Sequence, residues 1–213
     1  WDHGNEDKDF RITRVVYLLS DISKLGKQYP PALDALRTRR DEIEKKLLNG
    51  KDGDEIRDLS RLNSTLEDSG RNLALFDRLS TNSPVRKEVF GQILGQLIEA
   101  KRYEDILTLL DPEKALEDGM AARRRETEMR ARFSMGASPA DEYLRKRALE
   151  GWSQYFETLA GAKQTERAQK MADTILEFDS APDTRTLLEK AAVHAGNQDL
   201  VTYLQSKTAV PLK

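Results

Sequence analysis

Residues 151–179 read GWSQYFETLAGAKQTERAQKMADTILEFD, and the placing of their apolar side chains decides the class of fold. Trp152, Tyr155 and Leu159 recur at three- and four-residue steps and share one face of a helix. Ala168 and Ala172 share a face of a second helix, and Phe178 closes the pair. One such helical pair leaves apolar surface that only neighbouring pairs can bury, so further pairs are expected on either side. One is legible 62 residues earlier, where Phe90, Ile93, Leu97, Ile106 and Leu110 reproduce the spacing of Trp152, Tyr155, Leu159, Ala168 and Ala172.

In this order the stretch resembles a tetratricopeptide repeat, whose pattern is W-x2-L-G-x2-Y followed by A-x3-F. Phe156 stands where that pattern has glycine, and no proline follows until Pro182. Ile106 and Leu110 are larger than the small residues the family uses where its helices touch, so a wider crossing is expected there. The resemblance implies antiparallel hairpins stacked as an α-solenoid, with a concave surface formed by the first helices of successive pairs. Residues beside the packing positions would face that surface: Gln92 and Glu99, Gln154 and Glu157, then Lys190 and His194. These mixed polar groups suit a peptide or protein segment better than a small apolar ligand. Trp152 lies on the apolar stripe and is read as core, not as a ligand-stacking platform.

Thr81-Asn82-Ser83-Pro84 is a break with capping chemistry, and it divides an N-terminal section, residues 1–81, from a repeat section, residues 82–213. Residues 1–9, WDHGNEDKD, have no period and read as a loose arm. Phe10, Ile12, Val15, Val16, Leu19, Ile22 and Leu25 predict a first helix of about 18 residues, stopped by Tyr29-Pro30-Pro31. Pro31 can open a second helix, with Leu33, Leu36, Ile43 and Leu47 as its apolar stripe and RTRRDEIEKK as a charged outer face. After the turn NGKDGD, Asp54 is placed to cap a third helix, on which Leu59, Leu62, Leu66, Leu73 and Phe76 fall close to a heptad. Continuous to about Ser80, that helix would be roughly 40 Å long at 1.5 Å per residue, and helices one to three would form a coiled-coil-like hairpin arm.

In the repeat section, Asp111-Pro112 opens a helix that carries Leu116, Met120, Met129 and Phe133 amid dense charge, an inserted or capping helix that Gly136 ends. Ser138-Pro139-Ala140-Asp141 starts the long helix leading into Trp152. After Pro182, Leu187, Leu188, Ala191 and Ala192 run to the Gly196-Asn197 turn, and Asp199 to Leu204 make a short partner helix. No segment alternates as a strand would.

Composition narrows the functions. Hydrophobic residues make up 38% and charged residues 34%, which favours a thin helical body with much solvated surface. Lys and Arg total 35 against 37 acidic residues, so no net field draws the chain to nucleic acid or to an anionic membrane. With no cysteine there is no disulfide, thiol nucleophile or thiolate metal site. No apolar run reaches the roughly 18–20 residues of a membrane span. The expectation is a soluble chain, cytoplasmic or exported after loss of an N-terminal signal, since the sequence opens on Trp1.

No phosphate-binding glycine loop, dinucleotide fingerprint, G-x-S-x-G or H-E-x-x-H is present. Asp52, Asp54 and Glu55 miss the spacing of a calcium loop. His3 and His194 are the whole imidazole inventory. Arg37, Arg39 and Arg40, and then Arg123, Arg124, Arg125, Arg130 and Arg132, are interleaved with carboxylates such as Glu126 and Glu128, which read as a salt-bridged exposed face. The expectation is an all-α, non-catalytic adaptor or scaffold for an unknown protein or peptide, with no catalytic, cofactor or metal residues. Two further classes are kept: coiled-coil self-association through helices one to three, giving a homo-oligomer, and nucleic-acid binding through Arg123 to Arg132.

Overall fold

The computed structural model describes residues 19–50, 55–132 and 139–207. Among these the regular structure is helical, with no strand. The arm at residues 1–9, the start of the first helix, the Asp54 cap and the segment 133–138 lie outside them. The chain divides into two compact units, Trp1–Gln96 and Leu97–Lys213.

The first unit holds α1 (Leu19–Gly26), α2 (Pro30–Leu48), α3 (Ile56–Thr65), α4 (Gly70–Arg78) and most of α5 (Pro84–Glu99). Pro30, one residue before the expected Pro31, opens α2. Leu36, Ile43, Leu47, Leu59, Leu62 and Phe76 are buried as their spacing predicts, whereas Leu25 is half exposed at the end of α1.

The long third helix does not form. It ends at Thr65 and resumes at Gly70. Glu67 takes the left-handed conformation, φ 57°. The Asp68 N–H donates to the Asn63 carbonyl at 2.8 Å and the Glu67 N–H to the Ser64 carbonyl at 3.1 Å. This is a left-handed helix cap built on glutamate in place of the usual glycine. Side chains fasten the turn: Asn63 Nδ2 donates to Asn72 Oδ1 at 2.7 Å between two buried amides, and Arg40 reaches Asp68 at 3.0 Å.

The charged run on α2 is also not wholly an outer face. Arg40 and Glu44 are buried. Glu44 accepts from Arg71 at 2.8 Å and from Arg78, so α2 holds α4 by ion pairs as well as by Leu and Phe packing. Arg86 donates to the carbonyls of Phe76 and Leu79 at 2.6 and 2.9 Å and stacks 3.8 Å over the Phe76 ring, placing a cation at the C-terminal end of α4.

The second unit holds α6 (Tyr103–Leu109), α7 (Pro112–Arg132), α8 (Pro139–Gly161), α9 (Thr165–Phe178), α10 (Pro182–His194) and α11 (Gln198–Ser206). α8 is its centre, packed against α6, α7, α9 and α10, while α11 packs on α9 and α10. Trp152, Phe156, Leu159, Ala168, Ala172 and Leu188 are buried in one cluster. The Trp152 ring meets Phe178 edge-on with centroids 5.1 Å apart, and α7 reaches the indole at Gly119, where a Cβ would come within 2.8 Å of Nε1.

The sequence interval between pairs returns in the backbone. Lys101 and Lys163, 62 residues apart, both have left-handed φ, 55° and 58°. The Arg102 N–H donates to the Leu97 carbonyl at 2.8 Å and the Gln164 N–H to the Leu159 carbonyl at 2.9 Å. The third pair turns the same way at Gly196, φ 70°, with the Asn197 N–H on the Ala192 carbonyl at 3.0 Å. A left-handed non-glycine residue costs roughly 1–2 kcal/mol, partly offset by the lower chain entropy it brings to the unfolded state. Lys163→Gly is therefore expected to gain about 0.5 kcal/mol and Gly196→Ala to lose about 1 kcal/mol. Urea midpoints measured on the two variants check the opposite signs.

Candidate partner-binding site

Three of the residues expected on one surface meet in the second unit. Glu157 projects from α8 between the core residues Phe156 and Leu159, and its carboxylate is 10% exposed. His194, the last residue of α10, brings Nδ1 to 2.5 Å from Glu157 Oε1. The other ring nitrogen, Nε2, stands 3.7 Å from the carboxylate of Glu99, the last residue of α5, which is 78% exposed.

Tyr103 completes the cluster. It opens α6, is itself buried, and donates its hydroxyl to Glu157 Oε1 at 3.4 Å. The ring lies directly over Gly161, where a methyl group would overlap it, so the absence of a side chain at the end of α8 is what seats Tyr103 on the carboxylate. Asn197 fixes the other side: it accepts from the Leu200 N–H, capping α11, and donates Nδ2 to the Ala160 carbonyl at 3.1 Å.

Burial is the main influence on Glu157 and holds its carboxyl above the usual range, with the neighbouring Glu99 charge pushing the same way; the hydrogen bonds from His194 and Tyr103 pull against it. Tyr103 is pushed up to about 12, first by burial and then by the Glu157 charge, so its hydroxyl remains a donor. The arrangement is suited to hydrogen bonding and charge recognition at a helix junction.

Lys190 lies one turn before His194 and borders two open grooves. The first, about 490 Å³, runs between α10 and α11 past Glu189, Val193, His194, Val201 and Gln205. The second, about 300 Å³, runs between α8 and α10 past Lys146, Glu150 and Asp183, with Leu149 and Leu187 lining it. Val193 is 63% exposed beside the first groove. Gln154 is half-buried on α8, three residues before Glu157. Gln92 is exposed on α5 and belongs to the first unit.

Arg123, Arg124 and Arg130 of the arginine cluster on α7 have partners within the chain. Arg123 pairs with Glu126 at 2.6 Å and donates to the Asp141 carbonyl at 3.1 Å; Arg130 holds Asp141 and lies 3.8 Å from Glu126. Arg124 stands 5.5 Å over the Phe178 ring, and Arg125 donates to the Ala121 carbonyl at 3.3 Å. Among the described residues no group of three or more His, Cys, Asp or Glu side chains is arranged to hold a metal ion. None of their helices is long and apolar enough to cross a membrane.

Sequence reading did not find Tyr103. It lies 54 residues from its partner Glu157 and follows no motif. Comparison with protein-family models, curated proteins and solved structures gave no match.

Proposed function

We propose that the chain is a non-catalytic protein–protein interaction module, an adaptor or scaffold, that seats a peptide or protein segment along the α8 and α10 face of its second unit. The observation that carries this reading is convergence. Glu99, Glu157 and His194 arrive from three helices at one point, beside an open groove that combines Lys190 with the exposed Val193. An apolar strip flanked by charged and hydrogen-bonding groups suits an extended or helical protein segment. The helical pairs are read as degenerate tetratricopeptide-like repeats, supported by the turn that recurs at Lys101, Lys163 and Gly196. The pairing of Arg123 and Arg130 with carboxylates weighs against a phosphate-binding face, and the break at Glu67 weighs against a long coiled-coil arm.

The test is site-specific crosslinking in native extract. A photoreactive residue at Val193 is expected to give a discrete adduct with a defined protein, and one at Glu166, exposed on α9, is not. Lys190→Glu, on the same groove, should reduce the Val193 adduct about tenfold, the equivalent of roughly 1.4 kcal/mol. Equal labelling from both positions, or an adduct indifferent to Lys190→Glu, removes the groove as the working surface. An adduct with a second copy of the chain would point to self-association instead.

A further inference from the structure

The junction of α5, α6, α8 and α10 places one imidazole between two carboxylates of very different exposure. Glu157, on α8, is buried and touches Nδ1 at 2.5 Å; Glu99, on α5, is open to solvent and faces Nε2 at 3.7 Å. From α6 comes the Tyr103 hydroxyl, bonded to the same Glu157 oxygen; from α11 come the uncharged Val201 and Gln205; and on α10 itself Lys190 lies one turn back, with Glu189 beside it on the same groove.

A neutral imidazole has one N–H and one acceptor nitrogen, whereas an imidazolium has two N–H donors. The short Glu157 contact takes one N–H. In the neutral ring the nitrogen left over is then a lone pair 3.7 Å from the Glu99 carboxylate, an unfavourable pairing; in the imidazolium it is a second donor with an opposite charge nearby. We propose that His194 is a proton-operated clasp, which with its extra proton bridges Glu157 and Glu99 and on losing that proton keeps Glu157 but releases Glu99. The proton belongs to the pair. Imidazolium with carboxylate and imidazole with carboxylic acid hold the same number of protons, and in both forms a ring N–H is available to Glu99. The raised carboxyl of Glu157 favours keeping the proton at this junction, and Tyr103, whose hydroxyl stays protonated, contributes a constant hydrogen bond.

The sign follows from linkage. A contact that exists only while the folded state holds the proton adds stability at low pH and loses it as pH rises and that proton leaves. Titration of buried Glu157 alone would give the same slope, so the test must isolate Glu99. Wild type, Glu99→Gln, His194→Gln and the double variant are melted at about pH 5.5 and about pH 8.

Glu99→Gln is expected to lower the melting temperature by about 2 °C at the lower pH, to leave it unchanged or slightly raised at the higher, and to cause no loss at either pH when His194→Gln is already present. Glu99 is exposed, so its variant folds even if His194→Gln does not, and the two-pH comparison on Glu99→Gln decides by itself. A loss of the same size at both pH values, no loss at the lower pH, or a loss that persists without His194 overturns the clasp. The readout is the melting of the unliganded chain, so the inference stands or falls independently of partner binding.

Discussion

Trp152→Ala is expected to destabilise the second unit by about 3–5 kcal/mol, the usual loss when a large buried aromatic is cut back to alanine. The ring is 4% exposed and sits where three helices meet. It meets Phe178 at the end of α9 edge-on, a geometry worth about 0.5–1.5 kcal/mol beyond burial. On its other side α7 comes close enough to touch Nε1 at Gly119, an approach that serves only an indole-sized partner. The hole left by alanine is therefore bounded by helix backbone on one side and an aromatic ring on the other, and neither can collapse into it cheaply. Trp152→Phe keeps most of the volume and should cost less, about 1–2 kcal/mol. Urea denaturation followed by far-UV circular dichroism gives both values without relying on the indole signal. A loss under about 1 kcal/mol for alanine would mean that Trp152 fills space without anchoring α7, and would reopen a ligand-facing role for the ring.

The features that were legible before the structure are those fixed by local period. Trp152, Leu159, Ala168 and Ala172 had to share faces at 3.6 residues per turn, and all four are buried. Of the earlier set, Phe90, Ile93, Leu97 and Ile106 are buried and Leu110 is half-buried, as Tyr155 is in the later one. The turn Gly196-Asn197 was legible because glycine and asparagine announce a left-handed cap.

The other caps were not, because Glu67, Lys101 and Lys163 adopt the same conformation without any residue that signals it. That is why a near-heptad from Leu59 to Phe76 read as one helix: two short helices that both pack on α2 present the same apolar spacing as one long one. The second helix is held by groups distant in sequence. Glu44 waits 27 and 34 residues for Arg71 and Arg78, and a charged run such as RTRRDEIEKK does not reveal which of its members will be enclosed.

The candidate site divides along the same line. Glu99, Glu157 and His194 could be named because they flank packing positions on the first helix of each pair, and the structure puts them together. Their chemistry could not be named. Whether a glutamate beside a core residue is solvated or enclosed depends on what lies above it, and here Tyr103 is seated there by a glycine 58 residues further along the chain.

The second large effect is expected at the start of α8. Arg145 forks onto Asp179 with contacts of 2.6 and 2.9 Å, onto Asp183 at 2.8 and 3.0 Å, and reaches the Thr184 hydroxyl at 3.1 Å, tying α8 to the link between α9 and α10. Asp179, only 14% exposed, also accepts from the Thr184 hydroxyl and the Ala181 N–H. Arg145→Ala leaves that carboxylate enclosed with two neutral donors and no cation.

Removing one partner of a fully buried pair costs about 3–5 kcal/mol, and the partial exposure of the guanidinium reduces the expected loss to about 2–3 kcal/mol at neutral pH. The guanidinium is the chief reason that Asp179 is held below the usual carboxylate range, with the Thr184 and Ala181 hydrogen bonds acting the same way and burial opposing them. A carboxyl with a depressed folded value binds fewer protons folded than unfolded, so its contribution is present above the ordinary carboxylate value of about 4 and is lost as pH falls through the folded value below it. The deficit of Arg145→Ala against wild type should therefore be full at about pH 7 and shrink as pH falls through the depressed folded value of Asp179. Paired urea titrations across that interval check the sign. A deficit of constant size would show that Arg145 acts through packing of its aliphatic stem on α8, with the ion pair contributing nothing measurable.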